Sequence, residues 1–148
     1  MDSNPSIKNT YCIVKEKHLI VEYHKGIGTY GDAMAFRKEQ ATDPNFSPDF
    51  DMIADLRDLT FDVDILGLKS LVEFYHQNKN LMGVRRVAII TETPMQVAFA
   101  TIYKQLHTTL PQSLKVVSTV GAAVNWVGCE LTGMQVSDLL FGLKEQCR

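Results

Sequence analysis

Four consecutive residues, Val87-Ala88-Ile89-Ile90, are apolar on both parities of an extended chain. A strand with two apolar faces must be covered on both, which is the position of a central strand in a parallel sheet. On either side of this run the pattern changes to helical spacing. Between Asp62 and Asn80, the residues Ile65, Leu68, Leu71, Val72 and Tyr75 fall on one face. After the run, Thr93-Pro94 supplies a capping residue followed by proline at the first helical position. Met95, Phe99, Ile102, Tyr103 and Leu106 form the expected buried face of that helix.

The same alternation extends to both ends. Ile7 to Val14 and Leu19 to His24 read as strands, and the short link Lys15-Glu16-Lys17 makes them an antiparallel hairpin. A loop from Lys25 to Gly31 leads to a helix opened by Asp32 and running to about Ala41, stopped by Asp43-Pro44. Asp51 to Leu56, with Met52-Ile53-Ala54 inside it, reads as a buried strand, and Leu114 to Ser118 as the last one. A short helix covers Gly121 to Trp126. A final helix, about 132–147, is capped by Thr132 and lined by Val136, Leu139, Leu140 and Leu143. The order ββαβαβαβα, plus one further helix, predicts an α/β fold: a mixed, mainly parallel sheet of about five strands. The opening hairpin forms an antiparallel edge, and helices cover both faces. No linker or repeat divides residues 1–148, so one domain is expected.

Composition narrows the partners. Of 148 residues, 45% are hydrophobic and 22% charged, and the net charge is -2. That balance gives no electrostatic reason to expect nucleic acid or an anionic membrane. Arg85-Arg86 is a local basic pair and reads as a solvated strand end. No apolar run approaches the roughly 20 residues of a membrane span. The opening MDSNPSIKN lacks the apolar region of a signal peptide. Cys12, Cys129 and Cys147 form no CxxC and suit a reducing, cytoplasmic setting. His18, His24, His76 and His107 have no second ligand at a metal spacing, so neither metal nor cofactor is expected.

Catalytic motifs are not found: there is no G-x-S-x-G and no cysteine in a nucleophile's setting. Acid–base chemistry would need Asp55 or Asp58 beside His24. Gly26-Ile27-Gly28-Thr29-Tyr30-Gly31 has the letters G-x-G-x-x-G, but it follows an antiparallel hairpin rather than opening a parallel unit. Its glycines are read as serving a turn with positive φ. Asp55, Arg57 and Asp58 are the most notable polar cluster. They are placed just past a central strand, at the sheet edge where open α/β folds bind ligands. A pocket between the Gly26–Gly31 loop and Asp55–Arg57, using Gly26, Gly28, Asp55, Arg57 and Asp58, is one functional expectation; the other is a pair of charges that ties the loop down.

Several local words together resemble the STAS-like superfamily, in its SpoIIAA-like branch. They are His24-Lys25-Gly26, Ala54-Asp55-Leu56-Arg57, Arg86-Val87-Ala88-Ile89-Ile90 and Ala122-Ala123-Val124-Asn125-Trp126-Val127. The resemblance runs from about Ile7 to Val127 and leaves out the last helix. It implies the fold of bacterial anti-sigma-factor antagonists and a non-enzymatic, regulatory role through a protein partner. In those antagonists an Asp-Ser-Ser-Gly-Leu word carries a regulatory phosphoserine. Here the stretch reads Asp62-Val63-Asp64-Ile65-Leu66-Gly67-Leu68, with Asp64 or Ile65 at the acceptor position, so no such switch is expected. Leu66 and Phe74 fall off the main apolar face of their helix. They are expected either to meet a partner or second copy, or to be covered by a neighbouring element such as the last helix.

Overall fold

A computed structural model describes residues 7–148; most of the polar opening segment lies outside them. The expected architecture is present. Strands β1 (Lys8–Val14), β2 (Leu19–Gly28), β3 (Asp51–Phe61), β4 (Arg86–Ile90) and β5 (Ser113–Val117) form one sheet in the order β1-β2-β3-β4-β5. β1 pairs antiparallel with β2, and every other pair is parallel. The helices are α1 (Tyr30–Ala41), α2 (Ile65–Gln77), α3 (Pro94–Leu106), α4 (Val120–Val127) and α5 (Gly133–Gln146).

Because the parallel strands follow one another in sequence order, crossovers of one hand place α1, α2 and α3 on the same face. Ile20, Met52, Val87 and Ile89 point to that face and pack with Ala100 of α3. Leu19, Val21, Ile53, Ala88 and Ile90 point to the other, where α4 and α5 supply Ala123, Val127, Val136, Leu140 and Leu143. Val87-Ile90 is therefore buried on both sides, as its two apolar parities require.

Local chemistry sets the helix starts. Thr29, Thr93 and Thr132 each accept from the backbone three residues on, and Asp32, Gln96 and Gln135 return the contact to complete capping boxes. Asp64 caps α2, accepting from the Gly67 N–H at 2.8 Å.

The structure departs from the sequence reading in four places. The glycine segment is not a loop: β2 runs through Gly28 and α1 begins two residues later. Of Gly26, Gly28 and Gly31, only Gly26 has positive φ (98°). At Gly28 the constraint is one of space: a Cβ would meet Ile7 Cδ1 at 2.9 Å and Leu59 Cδ1 at 3.2 Å, so a larger residue requires those side-chain ends to shift. Second, β3 extends to Phe61, so Asp55, Arg57 and Asp58 lie within a strand, at a register shift opposite Tyr23–Lys25. Third, Met95 is exposed; the inward face of α3 is carried by Gln96, Phe99, Ala100 and Tyr103. Fourth, α5 packs on β1, β2 and α4, on the opposite side of the sheet from α2, and cannot cover Leu66 or Phe74.

Candidate functional site

The parallel crossovers leave a long space between the sheet and the layer of α1, α2 and α3. It is a cavity of about 160 Å³. Its floor is the inward row of β3, Met52, Ala54, Leu56, Leu59 and Phe61, with Val87 and Ile89 of β4 beside it. Its roof is Phe36 of α1, Leu68 and Leu71 of α2, and Phe99 and Ala100 of α3. One end is bounded by Gly28, Tyr30 and Val63, at the carboxyl end of β2 and β3, and Tyr30 there is exposed. The other end holds Arg85, Met82, Gln112 and Leu114, at the amino ends of β4 and β5. Met52 to Phe61 is nine residue steps of strand, roughly 30 Å, so this volume is narrow for its length.

Two arginines enter this apolar surround. Arg37 of α1 donates to both carboxylate oxygens of Glu22, a residue of β2 wholly buried in the protein; the Nη2–Oε1 distance is 2.9 Å. Gln40 donates to Glu22 at 2.7 Å, His24 bridges Glu22 and Asn9 at 3.0 and 2.7 Å, and Arg37 Nε donates to the Tyr75 hydroxyl at 3.2 Å. Burial pushes the Glu22 carboxyl up, but Arg37 and His24 outweigh it and hold the group well below the usual carboxylate range. This network is satisfied and neutral in its main pair.

Arg85 is different. It is 5% exposed, and no carboxylate among the described residues pairs with it. Its acceptors are neutral: the Phe50 carbonyl at 3.4 Å, and the Gln112 amide oxygen, turned toward it at 2.6 Å from Nε and 3.0 Å from Nη2. Burial, and then the positive charge of Arg37, lower its pKa to about 10. The side chain stays charged at neutral pH. Reading Arg85-Arg86 as a solvated pair is thus corrected at Arg85. Arg86 alone faces water, over the Trp126 ring at 5.5 Å. Near this end, His107 is buried with no hydrogen-bond partner at either ring nitrogen, and burial lowers its pKa to about 4. It packs edge-on against Tyr103 and Tyr75.

The residues singled out in the sequence are only partly brought together. Asp55 and Arg57 form a two-pronged pair, Nε–Oδ1 at 2.9 Å and Nη2–Oδ2 at 2.8 Å. Asp58 accepts from the Tyr23 hydroxyl and lies 3.4 Å from Lys144 of α5. The Tyr23 hydrogen bond is the main cause that holds the Asp58 carboxyl below its ordinary value. This trio therefore belongs to the face of α5, and the sheet separates Asp58 from His24, which lines the cavity. Of the expected pocket residues, only Gly28 lines the cavity; Gly26, Asp55, Arg57 and Asp58 do not. Glu22 and Arg37 carry no sequence-based expectation, and Arg85, Tyr75 and His107 are read there as a strand end, a core position and a non-ligand rather than as site residues. The usable signal is Glu22, a charge set directly between the apolar run Leu19-Ile20-Val21 and Tyr23.

On α2, Leu66 is 71% exposed and Ile65 is also exposed. Phe74 is 9% exposed and packs with Leu71, Tyr75, Leu81 and Met82, against Ala33 and Met34 of α1. The expectation of a joint surface patch fails at Phe74 because α1 covers it. Among the described residues, no cluster of three or more His, Cys, Asp or Glu could hold a metal, and no helix is long and apolar enough to cross a membrane.

No family model matches the chain, and no curated protein matches it. Among solved structures, it resembles an uncharacterised protein of the DUF3478 family from Shewanella loihica PV-4, described as having a SpoIIAA-like fold. The two align with TM-score 0.56 at 18% identity, over 86% of this chain and 98% of that one. The chain has the SpoIIAA-like fold.

Proposed function

We propose that this chain is a non-enzymatic binding module that holds a small, predominantly apolar molecule between the sheet and helices α1–α3. The observation that carries the reading is the cavity of about 160 Å³, walled by apolar side chains from three helices and the sheet. For scale, an apolar cavity of on the order of 150 Å³ in another protein stays dry and admits benzene. Apolar chambers with a few convergent polar groups are the usual form of small-molecule sites. The SpoIIAA-like fold supports a regulatory use of such binding. Calorimetric titration with 1-octanol tests it: the wild type binds, and Ala100→Phe, which fills the chamber, abolishes binding while remaining folded. Octanol binding unchanged in Ala100→Phe would overturn the reading.

A second reading, action through a protein partner or a second copy, is supported by the exposure of Ile65 and Leu66 beside the Tyr30–Val63 end of the cavity. Asp64 and Ile65 stand where the antagonists carry their acceptor serine, so such action would proceed without a phosphoserine. The two readings are compatible, since a partner seated at that end would sense whether the chamber is filled.

A further inference from the structure

We infer that the molecule taken up by the cavity is a straight-chain carboxylic acid, with its carboxylate paired to Arg85 and its alkyl chain lying along β3 toward Tyr30 and Val63. This rests on the cavity being a ligand site. A guanidinium removed from water without a counter-charge is costly, because neutral acceptors replace hydration only in part. Arg85 is in that state: buried, charged, and held by an amide and a carbonyl alone. The nearby Glu22 does not neutralise it, because Arg37 already takes both oxygens of that carboxylate. The cavity wall therefore carries two guanidiniums and only one carboxylate is paired among them, which leaves one positive charge unbalanced. A monocarboxylate supplies the missing charge, and its oxygens can accept from the Nη1 and Nη2 protons that remain beyond the Nε–Nη2 edge taken by Gln112.

Shape selects the rest of the ligand. The lining follows one strand from Met52 to Phe61, with the charge at one end and an exposed tyrosine at the other. A long, narrow, apolar space closed by a cation fits an unbranched chain with an acid at its tip better than a compact ring. The apolar row offers the chain no hydrogen-bond partner, so a hydroxyl placed along it is disfavoured by its unpaired burial, by about a hundredfold at most.

The test compares octanoate with 1-octanol by calorimetry on the full chain. The expected result is octanoate binding roughly tenfold or more tighter than octanol in the wild type. In Arg85→Met this preference is lost while octanol still binds. Equal affinity for the two in the wild type would overturn the acid inference and leave the apolar cavity standing. No binding of either would overturn the cavity reading itself. Should Arg85→Met fail to fold, the wild-type ratio still decides, and Gln112→Leu gives a second check. It removes the amide that orients Arg85 and reduces the preference for the acid without abolishing octanol binding.

Discussion

Arg37 of α1 grips both carboxylate oxygens of Glu22 at a point in β2 where the sheet is closed to solvent. The pair ties the first crossover helix to the sheet beside the cavity. Removing one partner leaves the other charge buried and alone, which costs about 3–5 kcal/mol. Arg37→Met is expected to lose stability of that size in urea unfolding followed by circular dichroism. Replacing both partners together, Glu22→Leu with Arg37→Met, is expected to recover a large part of the loss. A single variant as stable as the wild type would contradict this role.

His107 predicts an acid sensitivity. Its pKa is lowered from 6.5 to about 4 by burial, with Arg85, His76 and Arg37 adding in the same direction. The unfolded chain then takes up a proton before the folded one does. Stability is complete above pH 6.5 and falls as the pH drops toward 4, by at most about 3 kcal/mol. His107→Leu is expected to flatten this window, read as melting temperature against pH. Glu22 acts lower down: its carboxyl is held well below 4.5, so its contribution is lost only under more acidic conditions.

The Asp64 carboxylate caps α2 through the Gly67 N–H, in the stretch that the sequence resemblance sets against the antagonists' phosphoserine word. Asp64→Ala is expected to cost about 1 kcal/mol, and Asp64→Asn clearly less. Mass spectrometry after incubation with host lysate and ATP is expected to show no phosphate between Asp62 and Leu71. Stoichiometric phosphate at Ser70 would contradict this.

Leu66 and Phe74 separate surface from core on one helix. Leu66→Glu is expected to change stability by no more than about 0.5 kcal/mol, whereas Phe74→Ala costs about 3–5 kcal/mol. If the wild type associates with itself, light scattering of Leu66→Glu shows a monomer. A dimer that survives Leu66→Glu excludes Leu66 from the interface.

The order of elements was legible because each depends on short-range pattern. Val87-Ile90 needs two covered faces, Thr93-Pro94 starts a helix, and the Lys15–Lys17 link permits only a hairpin. The candidate site was not legible in the same way. The cavity exists because α1, α2 and α3 share one face of the sheet, and no local word records the gap left beneath them. Arg85 reads as a surface residue by type and by its neighbour Arg86; only its burial and its hydrogen bonds to Phe50 and Gln112 show otherwise. Asp55, Arg57 and Asp58 stood out as charges in sequence, yet they are partnered by one another, by Tyr23 and by Lys144 on the far side of the sheet. At Phe74 the neighbouring element that gives cover is α1 rather than the last helix, and a helical wheel drawn for α2 alone does not include that second apolar layer.

The central claim is that the space between the sheet and α1–α3 takes up an apolar ligand, and leucine methyl NMR tests it most directly. On titration with 1-octanol, the methyl signals of Leu56, Leu59, Leu71 and Leu114, which line the cavity, are predicted to move together along one saturating curve. Those of Leu140 and Leu143, on the opposite side of the sheet, are predicted to stay in place. Shifts confined to Leu140 and Leu143, or no saturable shift in the four lining leucines, would contradict the account.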